Sequence, residues 1–270
     1  LEAVGHALTA LGDSFDPAEV RRSRHMLRLK ANALAQLGRD EEAEQMRNLA
    51  TAIPPRPPSL PSSQIDLAPH GAKALHPYWN FQAGSFVDGW SRLAETYDPG
   101  DDPPFDIRGR ILLNSGVFPQ GRGEISGKDL NAHYNANHPL AVEGIAVGQK
   151  FDTLHVLHAV RWGLGEITGE TVAQYILHYD DGKRYPIDVR IGQDVFNDWQ
   201  SENTIGPTRS PDTARLAWEY HFTEGGGERR SLVLAHQSWP NPHPDKTVTH
   251  LDLVSTAKLA GPLIYGITVE

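Results

Sequence analysis

The sequence has no cysteine among its 270 residues. Disulfide staples, thiolate metal ligands and cysteine nucleophiles are therefore excluded, and redox chemistry gives no information on the compartment. The chain also lacks any apolar run close to the roughly 20 residues that a membrane-spanning helix needs. We therefore expect no membrane span in this chain.

Basic residues are outnumbered by acidic ones. Lys and Arg together number 25 and Asp and Glu 34, which gives a formal net charge of −9. No block of basic residues stands out, and an acidic chain without one is a poor match for the phosphates of nucleic acids or anionic lipids. We expect no nucleic-acid partner.

The first residues, LEAVGHALTALGDS, contain no Met and no basic segment followed by an apolar one, so they do not form a signal peptide. Their composition is typical of the middle of a helix. We therefore expect that further domains lie upstream in a longer protein.

Residues 1–53 are rich in helix-forming Ala, Leu, Arg and Glu and carry no strand signals. Gly38 is placed to end one helix, and the acids that follow it favour the first turn of a second helix. The apolar residues before Gly38 are spaced close to the helical period, namely Met26, Leu27, Leu29, Ala31, Leu34 and Leu37. We predict an α-helical hairpin over this segment.

Within the hairpin stands the segment ANALAQLGRDEEAEQMRNLATAIPP. Its small, apolar and terminating positions resemble the second half of a tetratricopeptide repeat: Ala31, Leu34, Gly38, Ala43, Ala50 and Pro55. Arg47 stands where that family has an aromatic residue. The resemblance implies a packing role, because such repeats bury a core only against stacked neighbours. The alternative is a plain helical hairpin that caps the next domain.

Residues 54–64 form a proline-rich linker that we expect to be extended and stiff, because prolines fix φ and remove backbone donors. Beyond it, residues 65–270 consist of short β-branched and aromatic runs that end at Gly, Pro, Asn or Asp. With no helical period between them, these runs are typical of an antiparallel sandwich or barrel. We predict a mainly β chain, an antiparallel jelly-roll β-sandwich with a small N-terminal α-helical hairpin.

The strand signals are regular enough to give boundaries. Asp181-Gly182 predicts a hairpin turn that needs positive φ, and residues 115–140 form a Gly/Pro-rich insertion too long for an ordinary loop. The predicted strands are 105–114, 141–147, 151–160, 172–179, 184–191, 214–222, 230–237, 246–255 and 262–269.

Thirteen histidines raise the question of a metal site. His155 and His158 lie in a predicted strand, where alternation sends them to opposite faces, so they cannot share a metal ion. No histidine spacing matches a zinc signature. We expect no cofactor, and the alternative is a structural Ca²⁺ in a loop rich in carboxylates. The side chains that would hold it are Asp101, Asp102 and Asp180.

Catalytic signatures are missing from the sequence. It has no G-x-S-x-G elbow, no phosphate-binding loop and no recognisable order of Ser, His and acid. Glycoside hydrolysis needs two carboxylates across a cleft, and the sequence alone does not pair the available ones, which are Glu143, Glu166, Glu170 and Asp198. We expect a protein that is not an enzyme.

Tryptophans near strand ends are the best candidates for ligand contact. A Trp on a loop offers a flat apolar face to a sugar ring, with Asn or Asp nearby for the hydroxyl groups. The alternative is that each Trp fills the rim of the sandwich. The candidate ligand-binding residues are Trp162, Asn197, Asp198, Trp199, Trp239, Asn241 and His243.

The segment SWPNPHPDKTVTHLDLVS, residues 238–255, combines three prolines with a strand pattern. Each proline imposes extended geometry on the residue before it. In the strand that follows, His250 and Asp252 alternate with leucines. We interpret the segment as a rigid crossing that sets the direction of a core strand, in preference to a ligand site.

Four stretches carry a wider similarity: AVEGIAVGQKFDTLHVLHAVRWG, YILHYDDGKRYPIDVRIGQDVFNDW, WPNPHPDKTVTHLDLVS and GPLIYGITVE. Together they resemble a galactose-binding-like jelly-roll module of large multidomain bacterial proteins, with IDLAPH and FDIRG as its opening strands. The resemblance implies a β-sandwich that follows helical-repeat or signalling domains. The sequence does not determine the location, and we slightly favour an extracytoplasmic or membrane-complex-associated one. The resemblance implies no activity, because a fold alone does not fix one.

These observations lead to an expected function. We expect a non-catalytic binding or assembly module that docks to another protein subunit or to a glycan through its loops. One alternative is a structural subunit of a larger complex, with the helical hairpin and the long loops as contact surfaces. The other alternative is a glycan-active hydrolase.

Overall fold

The computed structural model describes residues 27, 30–53, 56–74, 93, 96–115, 138–161, 168–201, 214–223, 227–257 and 260–270. The helical elements are residues 30–36, α1 (Asp40–Thr51) and a 3-10 turn (Ala68–His70). The strands are β1 (Lys73–Ala74), β2 (Gly109–Leu112), β3 (Ala141–Gln149), β4 (Thr153–Arg161), β5 (Thr171–Tyr179), β6 (Arg184–Arg190), β7 (Trp199–Ser201), β8 (Arg215–Thr223), β9 (Arg229–Pro240), β10 (Val248–Ser255) and β11 (Gly261–Val269). Trp162 and most of the predicted 115–140 insertion lie outside the described residues.

The described part of the N-terminal hairpin follows the sequence pattern. The first helix ends at Gly38, whose φ of 69° is left-handed, and the N–H of Arg39 donates to the carbonyl of Leu34 at 2.9 Å. The small and apolar residues of the tetratricopeptide-like pattern form the packed side of the hairpin. The buried ones are Ala31, Leu34, Ala43 and Ala50. Among the described residues, no helix is both long enough and apolar enough to cross a membrane.

The β-strands form two antiparallel sheets in jelly-roll order, which confirms the predicted fold class. In the larger sheet β2, β11, β4 and β9 are neighbours, and β3, β10, β5 and β6 form the smaller sheet. Most connections between these strands cross from one sheet to the other, as two Greek keys in a sandwich require. The remaining strands, β1, β7 and β8, extend the larger sheet to seven strands.

All nine predicted strands overlap an observed one, and Gly182 in the predicted hairpin turn has a φ of 81°. The two opening strands inferred from the resemblance are corrected. The segment IDLAPH ends in the 3-10 turn, and β2 begins only at Gly109, after FDIR. The short strands β1 and β7 were not predicted, because two or three residues are too few to show alternation.

The two central strands of the larger sheet are covered on both faces. Every residue of β11 is buried, and so are all but the two end residues of β4. Alternate side chains of β4 enter two separate clusters: Leu154 and Val156 enter the sandwich core between the sheets, and Leu157 and Ala159 enter a flanking core on the other face. The flanking core also includes Phe105, Trp218, Phe222, Leu232, Leu234, Leu263 and Tyr265.

The flanking core depends on a close approach between Phe105 and β11. A Cβ added at Gly266 would lie 2.7 Å from the Phe105 Cβ and 3.0 Å from two of its ring carbons. Gly266 stands at an irregularity in the pairing of β11 with β4. The missing side chain therefore lets the segment that precedes β2 lie directly on the sheet.

The proline-rich segment after β9 forms the connection from the larger sheet to the smaller one. Its centre is Asn241, which is 5% exposed and whose backbone N–H donates to the carbonyl of Asp152 at 2.7 Å. The Asn241 side-chain amide donates to the carbonyl of Phe151 at 2.9 Å, and its oxygen accepts from the Tyr179 hydroxyl at 2.6 Å. These bonds fix the corner to both sheets before β10 begins.

We predict that Gly266→Ala destabilises the protein by about 1–3 kcal/mol, because the new methyl group overlaps Phe105 and the neighbouring backbone has to shift. Urea unfolding followed by circular dichroism measures the change. Ser238→Ala, at an exposed position of β9, is the control and should change the free energy of unfolding by less than about 0.5 kcal/mol. Equal effects from both substitutions would contradict the role given to Gly266.

Candidate functional site

The described tryptophans among the candidate residues pack against the interior. The Trp199 ring lies on the flanking core, edge-on to Phe222 with 5.6 Å between ring centroids. The Trp239 ring lies on the sandwich core, edge-on to His158 and Tyr175. Trp162 lies outside the described residues. The rings of Trp199 and Trp239 therefore contribute to packing between strands.

Asn197 and Asp198 lie beside Trp199 and are held by internal contacts. Asp198 is 1% exposed and accepts hydrogen bonds from Nε and Nη2 of Arg161, at 3.0 and 2.5 Å. The Asn197 side-chain amide donates to the carbonyl of Trp199 at 2.6 Å. These polar groups stabilise the start of β7.

The candidate ligand residues fall into two separate groups. Trp199 pairs with Leu232 near the beginning of β9, whereas Trp239 lies at the end of the same strand. Seven residues of extended chain separate these points, or roughly 23 Å. Asn241 and His243 belong to the second group, in which the His243 ring lies edge-on to Tyr179 at 5.2 Å. The structure does not bring the two groups into one patch.

The proposed Ca²⁺ ligands also lie apart. Asp102 pairs with Arg215 and faces Nδ1 of His236 at 3.1 Å, on the larger sheet. Asp180 lies in the turn between β5 and β6, in the smaller sheet, and Asp101 lies in an exposed turn. Within the described part of the chain, a different group brings possible metal ligands together: one ligand atom each of His178, His250 and Asp252 lies within 4.8 Å of the other two.

The smaller sheet positions this group on the face that points away from the sandwich core. Leu177 on β5 and Leu251 and Leu253 on β10 enter the core, so their neighbours in the strands face outward. We call this surface the outer sheet face; its central residues are Ile176, His178, His250, Asp252 and Val254. Strand register sets His250 opposite His178 and Asp252 opposite Ile176.

Asp252 is the most enclosed member of the group. Its Oδ2 lies 2.7 Å from Nε2 of His178, and its Oδ1 accepts the backbone N–H of Gly144 at 2.8 Å. Gly144 has a φ of 72° in an irregular part of the β3–β10 pairing. This backbone irregularity turns an N–H of β3 toward the carboxylate, which fixes the orientation of Asp252.

His250 is oriented by the residue before it. The Thr249 hydroxyl donates to the carbonyl of His178 at 3.0 Å, so its oxygen accepts the proton of His250 Nδ1 at 2.9 Å. That tautomer leaves a lone pair on Nε2 of His250. The rings of His250 and His178 are stacked, with 4.1 Å between centroids and 16° between planes.

A second histidine pair lies on the larger sheet. His155 Nδ1 and His236 Nε2 are 3.1 Å apart, and Asp102 and Glu270 lie at the two ends of the pair. The pKa of His236 is lowered to about 4, chiefly by burial and also by the nearby His155 and Arg215, against an opposing effect of Glu270. Burial also lowers the pKa of His155, against the opposing effect of Glu270. Both rings are therefore neutral at pH 7 and act as an internal polar contact.

His158 is also a structural group. Its Nε2 lies 2.8 Å from the carbonyl of Asp194 and must donate to it, so Nδ1 accepts the Tyr175 hydroxyl proton at 2.8 Å. Burial lowers the pKa of His158 to about 3, and His158 is 1% exposed. His155 and His158 lie on opposite faces of β4, as the alternation predicted.

The sequence contains part of the signal for the group on the outer sheet face. His250 and Asp252 are two residues apart in a predicted strand, which places both on one side. His178 lies in another predicted strand, and nothing in the sequence states that these strands are neighbours. The group therefore depends on the pairing of β5 with β10. This pairing brings together His178 and Asp252, which are 74 positions apart in the chain.

We predict that the protein loses stability as pH falls from about 6.5 to about 4. The folded-state pKa of His236 lies below the unfolded value of about 6.5, so the unfolded chain binds more protons in this window. The contribution of His236 is fully present above pH 6.5, is lost toward pH 4 and amounts to roughly 3 kcal/mol. Urea unfolding at several pH values between 7 and about 4 measures it.

Two variants identify the source of this pH dependence. His236→Gln should reduce the slope of the free energy of unfolding against pH, because it removes one group that titrates. His221→Gln is the control, since the His221 side chain is 76% exposed, and it should leave the slope unchanged. An unchanged slope in His236→Gln would contradict the assignment.

Comparison with known proteins adds no assignment to this geometry. No protein-family model matches the chain, and no curated protein matches it. What is established is the mainly antiparallel two-sheet β-sandwich and the positions of the groups described above.

Proposed function

We propose that this chain is a non-catalytic binding module that docks to a partner protein through the outer sheet face. One observation carries the proposal. The centre of the larger sheet is covered on both faces by apolar clusters, and so is the inner face of the smaller sheet, whereas no described residue of the outer sheet face belongs to either cluster. A rigid sheet supports that face, with Ile176 and Val254 half-buried beside the two stacked imidazoles. Such a mixture of apolar and hydrogen-bonding groups suits a protein surface.

The edges of the smaller sheet argue for docking through the face. The edge strand β6 carries Pro186 and exposed charges at Arg184, Asp188 and Arg190, features that discourage the addition of a further strand. The other edge strand, β3, is interrupted by positive φ at Gly144 and Gly148. A partner that added a strand would meet poor hydrogen-bonding geometry at both edges.

The tryptophans that the structure describes favour a protein partner over a glycan. Trp199, Trp218 and Trp239 pack against the two cores, and Nε1 of Trp218 donates to Thr96 at 2.9 Å. A sugar-binding platform needs a ring exposed on one face with polar side chains beside it. The outer sheet face has imidazoles and aliphatic side chains at its centre instead.

The non-catalytic part of the proposal rests on the carboxylates. Asp198 is paired with Arg161 in the larger sheet, whereas Glu143 lies on β3 of the smaller sheet. These two cannot act on opposite sides of one glycosidic bond. The His178–Asp252 pair lies on an open sheet face, where water competes for every developing charge.

The resemblance to galactose-binding-like jelly-roll modules of multidomain bacterial proteins supports a binding role, and so does the tetratricopeptide-like pattern of the hairpin. We propose that residues 1–53 carry the sandwich of residues 65–270 across the stiff linker of residues 54–64. The structural-subunit alternative is favoured by one observation. Leu37 and Leu49 of the hairpin are 71% and 44% exposed, so each offers an apolar side chain for contact with another subunit.

The proposal predicts that one substitution on the outer sheet face removes partner binding. The intact protein is captured from its natural source, each co-purified protein is identified, and its affinity for the purified chain is measured. Ile176→Glu should weaken binding of the true partner by at least about tenfold, because a charge is buried at the contact. Ser238→Glu, at an exposed position on the larger sheet, should leave the affinity unchanged.

Two results would overturn this proposal. A partner that is lost with Leu37→Glu and kept with Ile176→Glu would establish the hairpin as the contact surface and favour the structural subunit. Saturable binding of one sugar by the intact chain on a glycan array, unaffected by Ile176→Glu, would favour a glycan module elsewhere on the sandwich.

A further inference from the structure

We propose that His178, His250 and Asp252 form a binding site for a divalent transition-metal ion of the Zn²⁺ type on the outer sheet face. The site requires no partner protein, so this inference goes beyond the proposed docking function and does not rest on it. Three side chains on two adjacent strands supply the ligands.

The distances support a shared ion. One ligand atom from each of the three side chains lies within 4.8 Å of the other two. In a tetrahedral site with bonds of 2.0–2.1 Å, ligand atoms are separated by about 3.3 Å. The widest pair has to approach by at most about 1.5 Å. Nε2 of His178 and Oδ2 of Asp252, now 2.7 Å apart, have to separate slightly, and side-chain rotation can supply both changes.

The surrounding hydrogen bonds orient two of the ligands. Thr249 holds the proton on Nδ1 of His250, which leaves Nε2 as the donor atom for a metal. Gly144 N–H holds Oδ1 of Asp252 and leaves Oδ2 beside His178. Such partners of the ligand side chains fix tautomer and direction in metal sites.

Metal binding would also require two changes in the ligand side chains. Nε2 of His178 now faces Oδ2 of Asp252 at 2.7 Å, so the Nε2 proton of a neutral ring has to move to Nδ1 before Nε2 can bind the ion. The imidazole planes, 16° apart, must tilt so that both lone pairs converge on one point. Both histidines are half-buried and face solvent on one side, so the rings have room to turn.

The ligand types select the class of ion. Two imidazoles and one carboxylate match Zn²⁺ and its first-row neighbours, whereas Ca²⁺ takes six to eight oxygen ligands. Three protein ligands leave at least one coordination position for water or for a group on another molecule. The proposed ion is thus different from the structural Ca²⁺ considered from the sequence.

The proposal predicts saturable binding of a single Zn²⁺ at this site in the intact chain. Isothermal titration with Zn²⁺ gives the affinity, and nitrogen-15 NMR of the imidazoles shows which nitrogens are bound. Nε2 of His178 and Nε2 of His250 should shift on saturation. Asp252→Asn and His250→Gln, which preserve size and sheet packing, should each weaken this binding by at least about tenfold.

Two further variants separate this site from the other histidines. Thr249→Val should weaken Zn²⁺ binding while it leaves all three ligands in place, because Nδ1 of His250 loses its acceptor. His221→Gln, at an exposed position of β8, is the matched control and should leave the affinity unchanged. Unchanged affinity in Asp252→Asn and His250→Gln, or no imidazole shift at His178 and His250, would overturn the proposal.

Discussion

The structure depends on two strands that are apolar on both of their faces. The residues of β4 and β11 are buried almost throughout, and the two strands are neighbours in the centre of the larger sheet. Apolar side chains on both sides need cover on both sides, because exposure of that surface costs free energy in proportion to its area. The smaller sheet covers one side, and the segment around Phe105 covers the other.

This constraint decides where the molecule can meet other molecules. With the centre of the larger sheet enclosed, the smaller sheet offers a surface whose strands alternate between core and solvent. The charged and proline-containing edge strand β6 adds a second restriction, since it discourages pairing with further strands. Docking and metal binding are both proposed for the same face because it combines rigidity with accessible polar groups.

The histidines differ in burial according to the sheet face on which they lie. His158 is enclosed between the sheets and His236 lies on the flanking side, and burial lowers the pKa of each well below its usual range. His178 and His250 face solvent on the smaller sheet. The same residue type therefore serves internal hydrogen bonding in one layer and offers accessible ring nitrogens in another, and only burial distinguishes the two uses.

The sequence by itself determined the fold class, the strands longer than a few residues and the alternation that separates His155 from His158, because these follow from local periodicity. It also determined that His250 and Asp252 share a face. Only the tertiary structure decided that His178 joins them, that Trp199 and Trp239 pack inward and that Asp102 pairs with Arg215 and His236. Those outcomes depend on which strands become neighbours, and neighbours in a jelly roll are far apart in the chain, so no local pattern records them.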